Sequence, residues 1–292
     1  MEFDNKPINS PLRWAGGKFY ARKIIDAYIP NHNFYIEPFF GGGSIFFYKN
    51  KVESWINDFD SELINFYNQL QNNINELINF IDGEKATKER HSFYKNEFKP
   101  KNDLERAAKY YYLNRTSYSG IMKFENCYWG YGDKYSMRPE NWGRQLLKNH
   151  SKLQGVKISN IDFEDIINSI PINKDVFIFL DPPYFNADQN KFYTKSFTTE
   201  DHIRLSKLLK SLPNSVKFLL TYDNSNEVRD LYNWAQQIDE KEWNYVIART
   251  DDQKEKKQLK DGFSSNRSKG KEIFIFNYDL EECLTQKKLA LY

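Results

Sequence analysis

The chain has 292 residues and a formal net charge of +2, which suits one large domain, or one domain carrying an insertion, and argues against a general polycation. Any surface for nucleic acid must therefore be local. Cys127 and Cys283 are its only cysteines and its four histidines form no close pair, which argues against a disulfide scaffold, predicts no metal site and fits a reducing cytoplasm.

The opening MEFDNK is acidic and lacks an apolar stretch, so it does not read as a secretory signal, and no apolar run approaches membrane-spanning length. Residues 11–29 (PLRWAGGKFYARKIIDAYI) predict a glycine turn feeding an amphipathic helix. YIEPFF, Tyr35–Phe40, predicts a short strand running into Gly41-Gly42-Gly43, with a helix start at Ser44–Tyr48. SWIN, Ser54–Asn57, predicts a second strand that ends at Asp58. Ser61–Ile81 carries apolar residues at helical spacing and reads as one helix or two, and the polar stretch Asp82–Asp103 reads as a boundary.

Lys157–Ile161 and Val176–Leu180 predict strands, with Asp162–Ile170 helical between them. Helices over Glu200–Leu212 and Asn226–Ala235 flank a strand at Val216–Thr221, and Tyr245–Arg249 with Glu272–Tyr278 predict a closing strand pair. Strands and helices alternating at both ends predict an α/β sheet, and the stretch 104–152 breaks that rhythm like an insertion. The expected division is 1–81 as the first part of the main domain, 82–151 as the insert and 152–292 as the second part.

VFIFL, Val176–Leu180, reads as a strand covered on both faces, and DPPY follows it at once. Two prolines cannot continue a hydrogen-bond ladder, so the strand stops at Asp181 and the next residues are held stiffly. The carboxyl ends of strands are where open α/β sheets bind ligands. On these four letters alone, an acid and a ring presented at a site and an ordinary strand-to-loop turn are equally good readings.

The insert has its own chemistry. Arg106–Lys152 holds nine Lys/Arg, three Asp/Glu and ten aromatics, the profile of a nucleic-acid face. The alternative is a small subdomain whose rings form its core. A second basic stretch, Arg249–Lys271, holds eight Lys/Arg against four Asp/Glu and reads either as a solvated loop or as a further contact to nucleic acid, with Arg267 a candidate.

Four boxes stand in order: Arg13-Trp14-Ala15-Gly16-Gly17-Lys18, then Glu37-Pro38-Phe39-Phe40-Gly41-Gly42-Gly43-Ser44, then Asn57-Asp58, then DPPY. This order, with a basic aromatic insert before DPPY, closely resembles the Dam-like (D12 class) family of DNA adenine N6-methyltransferases. The resemblance covers nearly the whole chain. It implies a class I S-adenosylmethionine-dependent methyltransferase (Rossmann-like) α/β sheet with an inserted, mainly helical and loop target-recognition subdomain. It also implies S-adenosylmethionine as methyl donor, no metal, double-stranded DNA as partner, and a cytoplasmic enzyme associated with DNA and outside any membrane, with a monomer favoured and the oligomeric state left open.

The residues make chemical sense in those terms. Glycines after the first strand let backbone approach a ligand closely, and Asp58 lies near the place where an acid bonds ribose hydroxyls in nucleotide-binding α/β folds. Trp14, Lys18, Glu37, Phe39, Gly41, Gly43, Asp58, Asp162 and Asp181 are the expected donor-site residues. Lys18 as partner of the donor's carboxylate is implied by the resemblance alone. Asp162 is included because it follows the Lys157–Ile161 strand. At the reaction centre Asp181 and the Pro182 carbonyl would accept the hydrogens of an adenine amine, and Tyr184 would stack on the flipped base.

Asn114-Arg115-Thr116-Ser117-Tyr118-Ser119-Gly120-Ile121-Met122-Lys123 is similar to the family's segment that enters the target site. The resemblance implies DNA contacts by Arg115, Tyr118 and Lys123. Lys123 stands where GATC-specific members carry arginine, and YWGY at Tyr128–Tyr131 departs from the family's usual stretch, which leaves the recognition sequence open. A G-x-S-x-G hydrolase motif is absent, and neither cysteine lies in a strand-end turn like DPPY, as a cytosine C5 enzyme would need. An RNA or protein amine methyltransferase on the same fold, or a non-catalytic DNA-binding relative, are the alternatives.

Overall fold

The computed structural model describes residues 6–134, 136–171, 173–185, 197–244 and 269–289. Seven strands form one sheet: β1 (Phe34–Glu37), β2 (Glu53–Asn57), β3 (Lys157–Ser159), β4 (Val176–Leu180), β5 (Val216–Asp223), β6 (Gln237–Asn244) and β7 (Lys269–Phe276). Their order is β3-β2-β1-β4-β5-β7-β6, with β7 antiparallel to both neighbours and every other pairing parallel. This is the class I methyltransferase arrangement expected. Strand order reverses between β1 and β4, so the crevice at their carboxyl ends is the place for a ligand.

Side chains alternate across each strand, and here both faces are covered. In β4, Phe177 and Phe179 join one core with Tyr35, Phe46 and Phe274. Val176, Ile178 and Leu180 join a second core with Ile36, Phe218 and Ile275. All five residues of β4 are buried, as its continuous apolar run requires.

The first core is roofed by α1 (Arg22–Tyr28), α2 (Ser44–Tyr48), α3 (Ser61–Asn72), α4 (Ile74–Ile81), α6 (Asp103–Thr116), α7 (Trp142–Leu153) and α11 (Leu280–Leu289). The second is covered by α8 (Phe163–Asn168), α9 (Thr199–Lys210) and α10 (Asn226–Leu231). Among the described residues, no helix is long and apolar enough to cross a membrane.

Caps set several helix starts. The Asp60 side chain accepts from the backbone of Glu62 and Leu63 at the head of α3, and Thr198 with Asp201 forms a reciprocal box at the head of α9. Residues 61–81 form two helices, separated at Asn73. The expected boundary region holds a helix of its own, α5 (Lys88–Asn96), capped by Thr87.

The closing pair is formed by Gln237–Asn244 and β7, and the strand expected at Tyr245–Arg249 lies outside the described residues. Among the described residues β6 is an edge strand bonded to β7, so its sequence QIDEKEWN stays polar and lacks the apolar run that marks a buried strand. The helix expected over Asn226–Ala235 stops at Leu231.

Part of the stretch expected as an insert packs into the main core. Tyr110, Tyr111 and Tyr112 of α6 are buried, with Tyr111 stacked on Phe66 of α3 at 5.6 Å and edge-on to Trp142 at 5.6 Å. These rings serve packing.

Candidate active site

A cavity of about 670 Å³ opens at the carboxyl ends of β1, β2, β4 and β5. One wall is the glycine run Gly41-Gly42-Gly43. Gly41 has φ +46°, and a Cβ there would lie 2.7 Å from Trp14 Nε1; Gly43 has φ +64°, and a Cβ there would lie 2.5 Å from Phe40 Cζ. Both positions exclude a side chain, and the backbone lies bare against the cavity. The Gly41 N–H donates to Asp58 Oδ2 at 2.8 Å, and Asp58 Oδ1 accepts from the Asp60 N–H at 3.0 Å. Burial pushes the Asp58 carboxyl up to about 6, against these backbone bonds.

The other expected donor-site residues also line this cavity: Trp14, Lys18, Glu37, Phe39, Asp162 and Asp181. Glu37 is buried and accepts from the Tyr35 hydroxyl at 2.7 Å. Burial, reinforced by the charge of Asp181, raises its carboxyl well above the usual range. Asp162 caps α8 through the Glu164 N–H and pairs with Arg204 at 3.0 Å. Phe39 meets Phe163 and Phe197 at 5.5 and 5.6 Å, which makes this corner aromatic.

At the end of β4, the Asp181 side chain is 20% exposed and faces Lys18, whose Nζ lies 2.6 Å from Oδ1. Thr221 Oγ1 on β5 donates to the same oxygen at 2.7 Å. Lys18 also stands 3.8 Å from Glu272 Oε1 and 4.9 Å from the centre of the Tyr184 ring. Phe185 N–H donates to Asp223 Oδ1 at 3.0 Å, which anchors the residue after DPPY to the end of β5. Pro183 and Tyr184 line the cavity, whereas Pro182 is buried.

The segment after α6 closes one side of the mouth. Asn114 bonds the backbone of Arg13 and the Gly120 carbonyl, and Gly120, Ile121 and Met122 line the cavity. Gly120 has φ +72°, and a Cβ there would lie 2.3 Å from the Arg13 carbonyl oxygen, so only glycine lets the two segments meet. Beyond this wall the chain runs to half-buried Lys123 and then to Phe124, which is 61% exposed, as is Tyr128. Lys95 of α5 lies 4.9 Å and 5.2 Å from the centres of these two rings.

A model of the D12 class N6 adenine-specific DNA methyltransferase family matches residues 14–247. The chain belongs to that family. The chain is 28% identical to a Type II methyltransferase, M1.LlaDCHI, of Lactococcus lactis subsp. cremoris, over 91% of this chain and 94% of that protein. It is 31% identical to Type II methyltransferase M.MjaIII of Methanocaldococcus jannaschii, over 69% of this chain and 79% of that one. It is 25% identical to the DNA adenine methylase of Escherichia coli K12, over 77% and 84% of the two chains.

In this D12-class chain one expected DNA contact is not at the surface. Arg115 is 6% exposed, and its Nη1 donates to the Pro11 carbonyl at 3.5 Å. The last turn of α6 is buried, so its arginine packs inside, against the chain before the amino-terminal box, and not at the surface. Tyr118 is half-buried against Gly130, and Arg267 lies outside the described residues.

Sequence reasoning missed Thr221, Asp223, Glu272 and Arg204, all of which stand at or beside the D12-class site. A signal existed for two of them. Thr221 is a hydroxyl set into the apolar run VKFLLTY, and Glu272 heads the strand EIFIF. Asp223 and Glu272 are register partners because β7 runs antiparallel, so its early residues lie beside the end of β5.

Proposed function

We propose that this D12-class adenine methyltransferase takes a methyl group from S-adenosylmethionine and places it on N6 of an adenine flipped out of duplex DNA. The observation that carries the reading is the position of Asp181. A rigid, partly exposed carboxylate stands at the end of β4, in the same cavity as a bare glycine wall and Asp58.

The residues present suit the donor. The Gly41 and Gly43 backbone, held close against Trp14 and Phe40 and lining the cavity, suits a flat adenosine, and Asp58 offers acceptor lone pairs for ribose hydroxyls. Phe39 supplies an apolar face for a purine. When bound, the donor supplies a methyl carbon made electrophilic by its sulfonium.

The adenine amine is a weak nucleophile because its lone pair is conjugated with the ring. Asp181 accepts one N6 hydrogen and the Pro182 carbonyl the other, which favours the positive charge that develops as nitrogen bonds the methyl carbon. With the donor bound, its sulfonium would take the carbon–sulfur electron pair, and Asp181 is placed to take one N6 proton. Tyr184 stacks on the base. A base within a duplex cannot reach this cavity, so it is flipped out. In this reading residues 82–151 supply target recognition, with Tyr118 and Lys123 at the DNA, and the protein works on cytoplasmic DNA.

The test is Asp181→Ala in the purified protein, with unmethylated genomic DNA and radiolabelled donor. Methyl transfer falls by about 100- to 1,000-fold, the scale for losing one preorganised electrostatic partner. DNA binding survives, because phosphate contacts supply most non-specific affinity. Near-normal formation of N6-methyladenine would overturn the assignment.

A further inference from the structure

Asp181 has two carboxylate oxygens, and its two closest polar contacts fall on one of them. Lys18 Nζ lies 2.6 Å from Oδ1 and Thr221 Oγ1 lies 2.7 Å from the same atom. The two donors differ in kind. An ammonium is a compact charge on a flexible stem with three rotatable donors, and it attracts without directing. The Thr221 hydroxyl is fixed: its side chain is β-branched, its residue is fully buried, and the β4–β5 register sets Leu180 beside Leu220.

A hydroxyl in this place needs a partner. Leu219, Leu220 and Tyr222 around it are buried, and a valine of similar shape would fill the same space without a polar group. The hydroxyl has one hydrogen and two acceptors in reach: the Leu180 carbonyl at 3.3 Å and Asp181 Oδ1 at 2.7 Å. The bond to the charged oxygen is the shorter and the stronger. On the far side, buried Glu272 stands 3.8 Å from Lys18 and shares its charge, so Lys18 alone does not lock the carboxylate.

We propose that Thr221 is a positioning residue for methyl transfer: by holding Oδ1 of Asp181 it sets the carboxylate's rotation and presents Oδ2 to the adenine amine. The proposal rests on the reading of Asp181 given above. It separates orientation from binding, since Thr221 is fully buried and does not line the cavity.

The experiment compares Thr221→Val and Thr221→Ser with the unaltered protein. Single-turnover methyl transfer is measured with saturating S-adenosylmethionine on unmethylated genomic DNA, alongside KM for DNA, donor Kd and Tm. Thr221→Val lowers the transfer rate by about 10- to 100-fold, the scale of a misplaced reacting group, with KM and Kd unchanged. Thr221→Ser, which keeps the hydroxyl, restores most of the rate. A valine variant with the unaltered rate would overturn the proposal. So would equal losses in both variants accompanied by a lowered Tm, because the role would then be packing. If the valine variant does not fold, Thr221→Ala against Thr221→Ser makes the same comparison. An unaltered protein that puts no methyl on adenine would instead refute the underlying reading.

Discussion

Asn114 and Arg13 exchange two hydrogen bonds across 101 positions of chain: the Arg13 N–H donates to Asn114 Oδ1 at 2.8 Å, and Asn114 Nδ2 donates to the Arg13 carbonyl at 2.9 Å. A side-chain amide thus imitates a strand partner and fastens the amino-terminal box to α6. The same Nδ2 donates to the Gly120 carbonyl at 3.1 Å, so the amino-terminal box and the Gly120–Met122 wall of the cavity share one fastening.

Asn114→Ala therefore orphans three backbone groups at once in buried surroundings. Each lost partner costs about 1–3 kcal/mol, and partial rescue by water brings the expected destabilisation to roughly 3 kcal/mol. Urea unfolding should show a lower midpoint at unchanged slope. A midpoint within error of the unaltered protein would show that the fastening contributes nothing.

The buried Asp58 carboxyl makes stability depend on pH. Its carboxyl sits at about 6 in the fold, above the ordinary 3.8. An acid whose pKa is raised by folding loses its proton first in the unfolded chain. Stability therefore falls as pH rises from near 4 to near 6 and stays at the lower level above that, a penalty of about 3 kcal/mol. Asp58→Asn removes the penalty but weakens one of the bonds from Gly41 and Asp60. The net gain should be about 1–2 kcal/mol at neutral pH and absent near pH 4. Donor affinity should fall by about 1.5–3 kcal/mol, read by calorimetric titration. Unchanged affinity would move Asp58 out of the donor site.

Lys123 and Lys95 should fail differently. Base-edge contacts specify sequence, whereas phosphate contacts position the protein. Lys123 follows the cavity wall at Met122, and its loss should relax one position of the site by roughly 1–3 kcal/mol. Lys95 lies against the exposed rings of Phe124 and Tyr128, and Lys95→Ala should weaken binding to all sequences alike and reduce the salt slope by about 1. Methylation rates on single-base site variants at fixed salt separate the two. An equal fall on every variant in Lys123→Ala would make it another phosphate contact.

The elements that build the sheet were legible because their signals are local. VFIFL followed by two prolines announces a buried strand and its end, and YIEPFF followed by three glycines announces a strand that must turn closely past a ligand. From these, Asp181, Gly41, Gly43 and Asp58 could be placed at one edge without knowing strand order, because the carboxyl ends of parallel strands share an edge.

Only the tertiary structure decided what gathers round Asp181. Thr221 reaches it because β5 lies next to β4, and Glu272 stands near because β7 runs against its neighbours; a strand's own sequence does not name its neighbours or their direction. Arg115 was misplaced for the opposite reason. The last seven residues of α6, Tyr110–Thr116, are all buried, so no polar stripe marked which side met solvent. Local pattern announces where a chain turns and which runs it buries. Which distant groups then share a charge or a hydroxyl is settled by packing alone.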